Sequence, residues 1–137
     1  MPAMPFTMFS MQIIRDLKNV LRYPNPVVTI GNFDGIHLGH QKIFKKVAAR
    51  AREINGTPIA ITFDPHPVRV LAPERGLKIL TTSVDKADLM SDAGIKVLIS
   101  IGFDKEFART DPDDFIRNVL IDKIGAKWIV VGHNYAF

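Results

Sequence analysis

The sequence predicts an α/β protein, a parallel sheet flanked by helices, on three observations. Short β-branched apolar runs recur along the chain, at Val27-Val28-Thr29-Ile30, Pro58 to Phe63, Lys96 to Ile101 and Trp128 to Val131. Segments with the hydrophobic period of a helix lie between them. Start and stop residues punctuate those segments, as they do where a chain must leave one element and enter another. Strands that alternate with helices pair in parallel through right-handed crossovers, and such sheets bind ligands at the carboxyl ends of their strands.

Taken in order, the first strand expected is Val27 to Ile30, too β-branched for a helix and apolar on both faces. A helix follows from about Leu38 to Ile54. Ile43, Val47, Ala51 and Ile54 share one face with Phe44 and Ala48 beside them, Lys42, Lys45, Lys46, Arg50 and Arg52 point largely to solvent, and Gly56 closes the element. Pro58 to Phe63 is the second strand, and the stretch after it, with Pro65, Pro67 and Pro73, reads as a loop. Thr82 with Asp85 makes a capping box for a helix that runs to Ala93 and stops at Gly94. Lys96 to Ile101 is the third strand. Asp111 as N-cap, Pro112 at the first helical position and Asp114 then open a helix whose stripe is Phe115, Ile116, Val119, Leu120 and Ile124, with Gly125 as its stop. Trp128 to Val131 is the last strand, and Phe103, Phe107 and Phe115 read as core.

Composition narrows the class of function. A chain of 137 residues with 47% hydrophobic content buries one substantial core, so a single domain is expected. Eighteen Lys and Arg against fourteen Asp and Glu give a net charge of +4, which suits anionic ligands. No basic block carries interleaved aromatics, so nucleic acid is not an expected partner. The absence of cysteine excludes disulfides and thiolate chemistry and is compatible with a cytoplasmic setting. No apolar stretch approaches a membrane span, and residues 1–10, with Pro2 and Pro5 and no basic start, do not read as a signal peptide. They read instead as a poorly ordered extension before a domain over 11–137, and the sequence offers no indication of oligomeric state.

The segment with most chemical content is Gly31-Asn32-Phe33-Asp34-Gly35-Ile36-His37-Leu38-Gly39-His40. It joins a buried strand to a helix, and a helix start presents unpaired N–H groups and partial positive charge to an anion. Glycines there let backbone approach a ligand without a Cβ in the way. His37 and His40 are three residues apart, so a first turn near Leu38 aims both imidazoles at one pocket. Gly31, Gly35 and Gly39, at four-residue spacing, match neither a Walker A loop nor a dinucleotide fingerprint. The strand-end rule then gathers further candidates: Asp64 and His66 after the second strand, His133 and Asn134 after the last.

Each candidate also has a structural reading. Asn32 and Asp34 suit a turn, His66 between two prolines suits a rigid loop, His133 suits a strand end, and Asn134 suits a structural amide there. A metal pair at His37 and His40 lacks the third ligand or the glutamate of a zinc-protease helix.

The His-x-Gly-His turn at 37–40 resembles that of the nucleotidyltransferase superfamily, which transfers AMP or CMP from nucleoside triphosphates. Together with Thr62-Phe63-Asp64-Pro65-His66-Pro67, Leu80-Thr81-Thr82 and Val131-Gly132-His133-Asn134-Tyr135-Ala136-Phe137, the chain from Met11 onward is similar to the FMN adenylyltransferase module of bacterial bifunctional riboflavin kinase/FAD synthetases. The resemblance implies a Rossmann-like nucleotidyltransferase fold and transfer of AMP from ATP to FMN, with magnesium on the phosphates. Catalytic roles are implied for His37, His40 and Asn32, and ligand contacts for Gly31, Phe33, Asp34, Gly35, Gly39, Phe63, Asp64, His66 and Asn134. Relatives continue past Phe137 with an Ile-Ser-Ser-Thr-x-Ile-Arg segment and a riboflavin kinase barrel, so the domain is expected to be incomplete at its C-terminus. Two alternatives stay open: a non-catalytic nucleotide- or flavin-binding fragment, and an adenylyl- or cytidylyltransferase with another acceptor. Phe63-Asp64-Pro65-His66-Pro67 argues against the latter.

Overall fold

The computed structural model describes residues 11–15, 17–31, 33, 38–64, 83–102 and 109–131. Five strands are described: β1 Gln12–Ile14, β2 Pro26–Ile30, β3 Thr57–Asp64, β4 Val97–Gly102 and β5 Trp128–Val130. They form one sheet in the order β1-β4-β3-β2-β5. Every pairing is parallel, with Val28 opposite Ile59 and Ile129, and Ile61 opposite Ile99. Helix α1 is Leu38–Glu53, α2 is Ser83–Asp92, and α3 opens as the α-helical turn Pro112–Phe115 and runs on as a π-helical stretch Ile116–Ile124. A 3-10 turn, Leu17–Asn19, follows β1.

Helices cover both faces, which is why β2 is buried along its whole length and reads as an apolar run interrupted only by Thr29. Successive side chains alternate across the sheet. Val28, Ile30, Ile59, Ile61, Ile99 and Ile101 pack against Phe115, Leu120 and Ile124 of α3. Val27, Ala60 and Leu98 pack on the other side against Phe44, Val47 and Ala51 of α1 and Met90 of α2.

The predicted elements are present, with informative departures. β1 was not expected; three residues are too few to show a period, and the strand is held by its pairing with Val97 to Ile99. In α1 the buried stripe centres on Phe44, Val47, Ala48 and Ala51, and Ile43 and Ile54 are its half-buried margins. Arg50 is not simply solvated: it pairs with Glu53 at 2.8 Å and its guanidinium lies 4.5 Å from the centroid of the Trp128 ring.

In α3 Ile116 and Val119 are only partly buried, because the wider i to i+5 turn brings Phe115, Leu120 and Ile124 onto one face instead. Its N-cap is as expected, the Asp111 carboxylate accepting from the Asp113 N–H at 2.8 Å. Gly94 and Gly125 both take left-handed φ at the ends of their helices. Gly56 does not: Asn55 turns the chain with φ of +54°, and Gly56 is required by a close approach to the Asn25 carbonyl. Thr82, Phe103, Phe107 and residues 1–10 lie outside the described residues.

Candidate functional site

Strand order fixes where a ligand fits. From β2 the chain adds β3 and β4 to one side of the sheet, while β5 adds to the other side of β2. The crevice outside the carboxyl ends at such a reversal is where open parallel sheets bind ligands. Helix α1 begins at that end of β2. Its first turn carries no acidic side chain, and Arg50 and Arg52 stand in its last turn. The positive end of the helix dipole, roughly half an elementary charge, is therefore not offset by a carboxylate of its own first turn.

Gly31 leads out of β2 while its N–H still donates to Ile61 O at 3.0 Å, so the ladder extends one residue beyond the strand. A Cβ at Gly31 would meet Cε1 and Cζ of Phe33 at 3.1 Å; glycine here lets that ring fold over the strand end. Phe33 has φ of +52° and is only 5% exposed. Its ring meets His40 edge-on, centroids 5.5 Å apart and planes at 88°, and meets Phe44 at 4.9 Å and 63°. His40, the third residue of α1, is half-buried with its Nδ1 atom buried. One imidazole of the expected pair is thus seated in the first turn at the strand reversal.

The other expected residues divide into three groups. Gly39 lies in the first turn of α1 and Asp64 ends β3 opposite Gly102, both placed by backbone. Phe63 is 6% exposed and tilts against Phe115 at 6.5 Å, on the α3 side of the sheet away from α1; its described role is packing. Phe33 likewise packs in the core with its ring beneath α1 instead of standing out in the crevice. Asn32, Asp34, Gly35, His37, His66, His133 and Asn134 lie outside the described residues.

The sequence reading passed over a row of hydroxyls. Thr29, Thr62 and Ser100 are buried polar residues near the carboxyl ends of β2, β3 and β4, on the strand face that carries Val27, Ala60 and Leu98. Thr62 sits opposite Ser100, and Thr29 is the diagonal neighbour through Ala60. Thr29 Oγ1 has no hydrogen-bond partner among the described residues and its residue is 1% exposed. The signal was available as hydroxyl residues at matching parity within otherwise apolar runs.

Comparison with known proteins gives this geometry a context. The chain is 36% identical over 128 residues to a bifunctional riboflavin kinase/FMN adenylyltransferase of Buchnera aphidicola, covering 93% of this chain and 41% of that protein. It is 29% identical over 129 residues to the protein so named in Escherichia coli, again covering 93% of this chain and 41% of the relative. The chain therefore spans about two-fifths of the length of these curated relatives. A crystal structure described as a macrolide-efflux protein from Streptococcus pneumoniae superposes with a TM-score of 0.77 at 26% identity, over 93% of this chain and 42% of that one. The FAD synthetase family model matches residues 22–137, from just before β2 to the last residue. The α/β sheet with its His-containing helix start belongs, with the chain that forms it, to the FAD synthetase family.

Proposed function

We propose that this chain carries the adenylyl-transfer site of an FMN adenylyltransferase, which joins AMP from ATP to FMN to give FAD and pyrophosphate. The observation that carries the reading is the start of α1: a helix N-terminus without acidic residues, holding His40, at the reversal point of a parallel sheet. The second pKa of a phosphate monoester is about 6, so FMN arrives at neutral pH as a dianion and needs no general base. One of its phosphate oxygens attacks the α-phosphorus of ATP, the bond from that phosphorus to the bridging oxygen breaks, and pyrophosphate leaves with the electron pair. Charge accumulates on oxygens throughout, so catalysis rests on positioning and electrostatic stabilisation.

The N–H groups of the first turn of α1, with His40, His37 and Asn32, serve the triphosphate. Gly31, Asp34, Gly35 and Gly39 shape the approach to the phosphates, while Asp64, His66 and Asn134 arrange the two substrates. Magnesium enters as part of the substrate, riding on the ATP phosphates, which suits a first turn that offers N–H groups and an imidazole in place of carboxylates. A cytoplasmic setting, where both substrates are made, belongs to the same reading. No helix among the described residues is long and apolar enough to cross a membrane. The efflux description of the structural neighbour stays with that protein, and the riboflavin kinase activity in the relatives' name is assigned to no residue here.

Acceptor profiling tests the proposal. The full-length protein is incubated with magnesium, with ATP or CTP, and with FMN, phosphopantetheine or glycerol phosphate in turn, and products are separated by chromatography. FAD and pyrophosphate are expected from FMN alone. Dephospho-coenzyme A or a CDP-alcohol (with CTP) would move the chain to another branch of the superfamily, and ATP binding without any product would reduce it to a nucleotide-binding unit.

A further inference from the structure

Phe33 combines features that a residue filling the core does not need. A φ of +52° is unfavourable for a side chain with a Cβ, and such strain persists only where the surroundings impose it. Here the ring lies beneath α1, 5% exposed, between two other rings. Gly31 supplies the space, since a Cβ at that position would already press on two ring atoms at 3.1 Å. Phe44 meets the ring at 4.9 Å, and His40 meets it edge-on at 5.5 Å.

An imidazole in the first turn of a helix otherwise has several staggered rotamers open to it, and a reacting group loses rate when it samples them. We propose that Phe33 is a positioning residue: its strained backbone sets the ring that holds the His40 imidazole in one orientation toward the crevice. The inference rests on the reading of the α1 start as the triphosphate site, and it goes further by assigning Phe33 an action through His40 in place of a contact with ligand.

The test reads the imidazole directly. Histidine-labelled protein without nucleotide is examined by NMR, with the His40 signals assigned from their loss in His40→Gln. Phe33→Leu keeps an apolar side chain and removes the ring; Gly31→Ala keeps the ring and displaces it by a few tenths of an ångström. In both variants the His40 ring-proton resonances are expected to shift toward those of an imidazole remote from aromatic rings. Phe33→Leu is also expected to lower kcat about 10- to 100-fold with KM for ATP changed much less. Val47→Ala, a truncation in the same core cluster, serves as comparator and is expected to lower Tm with neither effect. His40 resonances unmoved in both variants, or a kcat retained in Phe33→Leu while His40→Ala abolishes turnover, would overturn the proposal. Full turnover by His40→Ala would overturn the triphosphate reading itself, and the two failures are therefore distinguishable.

Discussion

Substituting Gly56 by alanine tests how the carboxyl end of α1 is tied to the start of the sheet. A Cβ at Gly56 would fall inside the van der Waals sphere of the Asn25 carbonyl oxygen, with the Asn25 carbonyl carbon at 3.1 Å and its Cβ at 3.2 Å. The obstacle is backbone and cannot swing away, so the two segments must part by about an ångström. That motion strains a connected set of hydrogen bonds: Gly56 N–H to Ala51 O at 2.7 Å, Thr57 N–H to Asn25 O at 3.4 Å, Asn25 Nδ2 to Ile54 O at 2.9 Å and Thr57 Oγ1 to Pro24 O at 3.2 Å. Overpacking costs about 1–3 kcal/mol, and each weakened bond adds up to roughly 1 kcal/mol, for an expected loss of about 2–4 kcal/mol. With an unfolding entropy near 0.29 kcal/mol per kelvin for a chain of this length, Tm should fall by about 7–14 °C. Circular dichroism melts measure it, with Gly102→Ala as control: among the described residues nothing lies within 4 Å of a Cβ there, so its Tm should hold or rise slightly. A Gly56→Ala protein within about 3 °C of the parent would refute the close-approach argument.

Two further perturbations probe the buried hydroxyl and the N-terminal seam. Thr29→Val replaces a buried hydroxyl that has no partner among the described residues with a methyl of similar size, and should raise Tm by about 3 °C, about 1 kcal/mol; a lower Tm in the same melts would show that the hydroxyl is satisfied. Burial raises the pKa of Tyr23 above 10.0, and its hydroxyl donates to Gln12 Oε1 at 2.7 Å. The folded state therefore keeps the phenol proton longer than the unfolded chain does, so this contribution is complete below pH 10.0 and is lost as pH rises through the folded value. Denaturant titrations at neutral pH and above pH 10.0 should show a smaller alkaline loss for Tyr23→Phe than for the parent, and equal losses would contradict the assignment.

How much of this was legible in the sequence depended on whether the signal was local. β2, β3 and β4 are long β-branched runs and α1 has a clear stripe, so their existence and order followed from pattern alone. β1 was hidden because its stability lies in pairing with β4, a contact between residues more than eighty positions apart. The π-helical turn in α3 likewise escaped, since Phe115, Leu120 and Ile124 fit an α-helical stripe only loosely, and sheet packing selects the wider turn. At the site, the helix start and His40 were readable from glycines and histidines next to a strand. That the rings of Phe33 and Phe63 are buried was not readable: a motif gives residue types but not which side of a strand end a ring folds over. Gly31 explains the choice for Phe33 only once the 3.1 Å approach is seen.

The central claim is that the start of α1 stabilises charge in adenylyl transfer, and the His40→Ala substitution tests it most directly, assayed for FAD formation from ATP and FMN alongside a thermal melt. Loss of one donor to a transition-state oxyanion costs about a hundredfold or more in kcat. Loss of the edge-on contact with Phe33 costs at most about 1.5 kcal/mol, so Tm should fall by no more than about 5 °C. A hundredfold slower protein with nearly parental stability is the predicted result; a destabilised protein whose folded fraction turns over at the parental rate would contradict it.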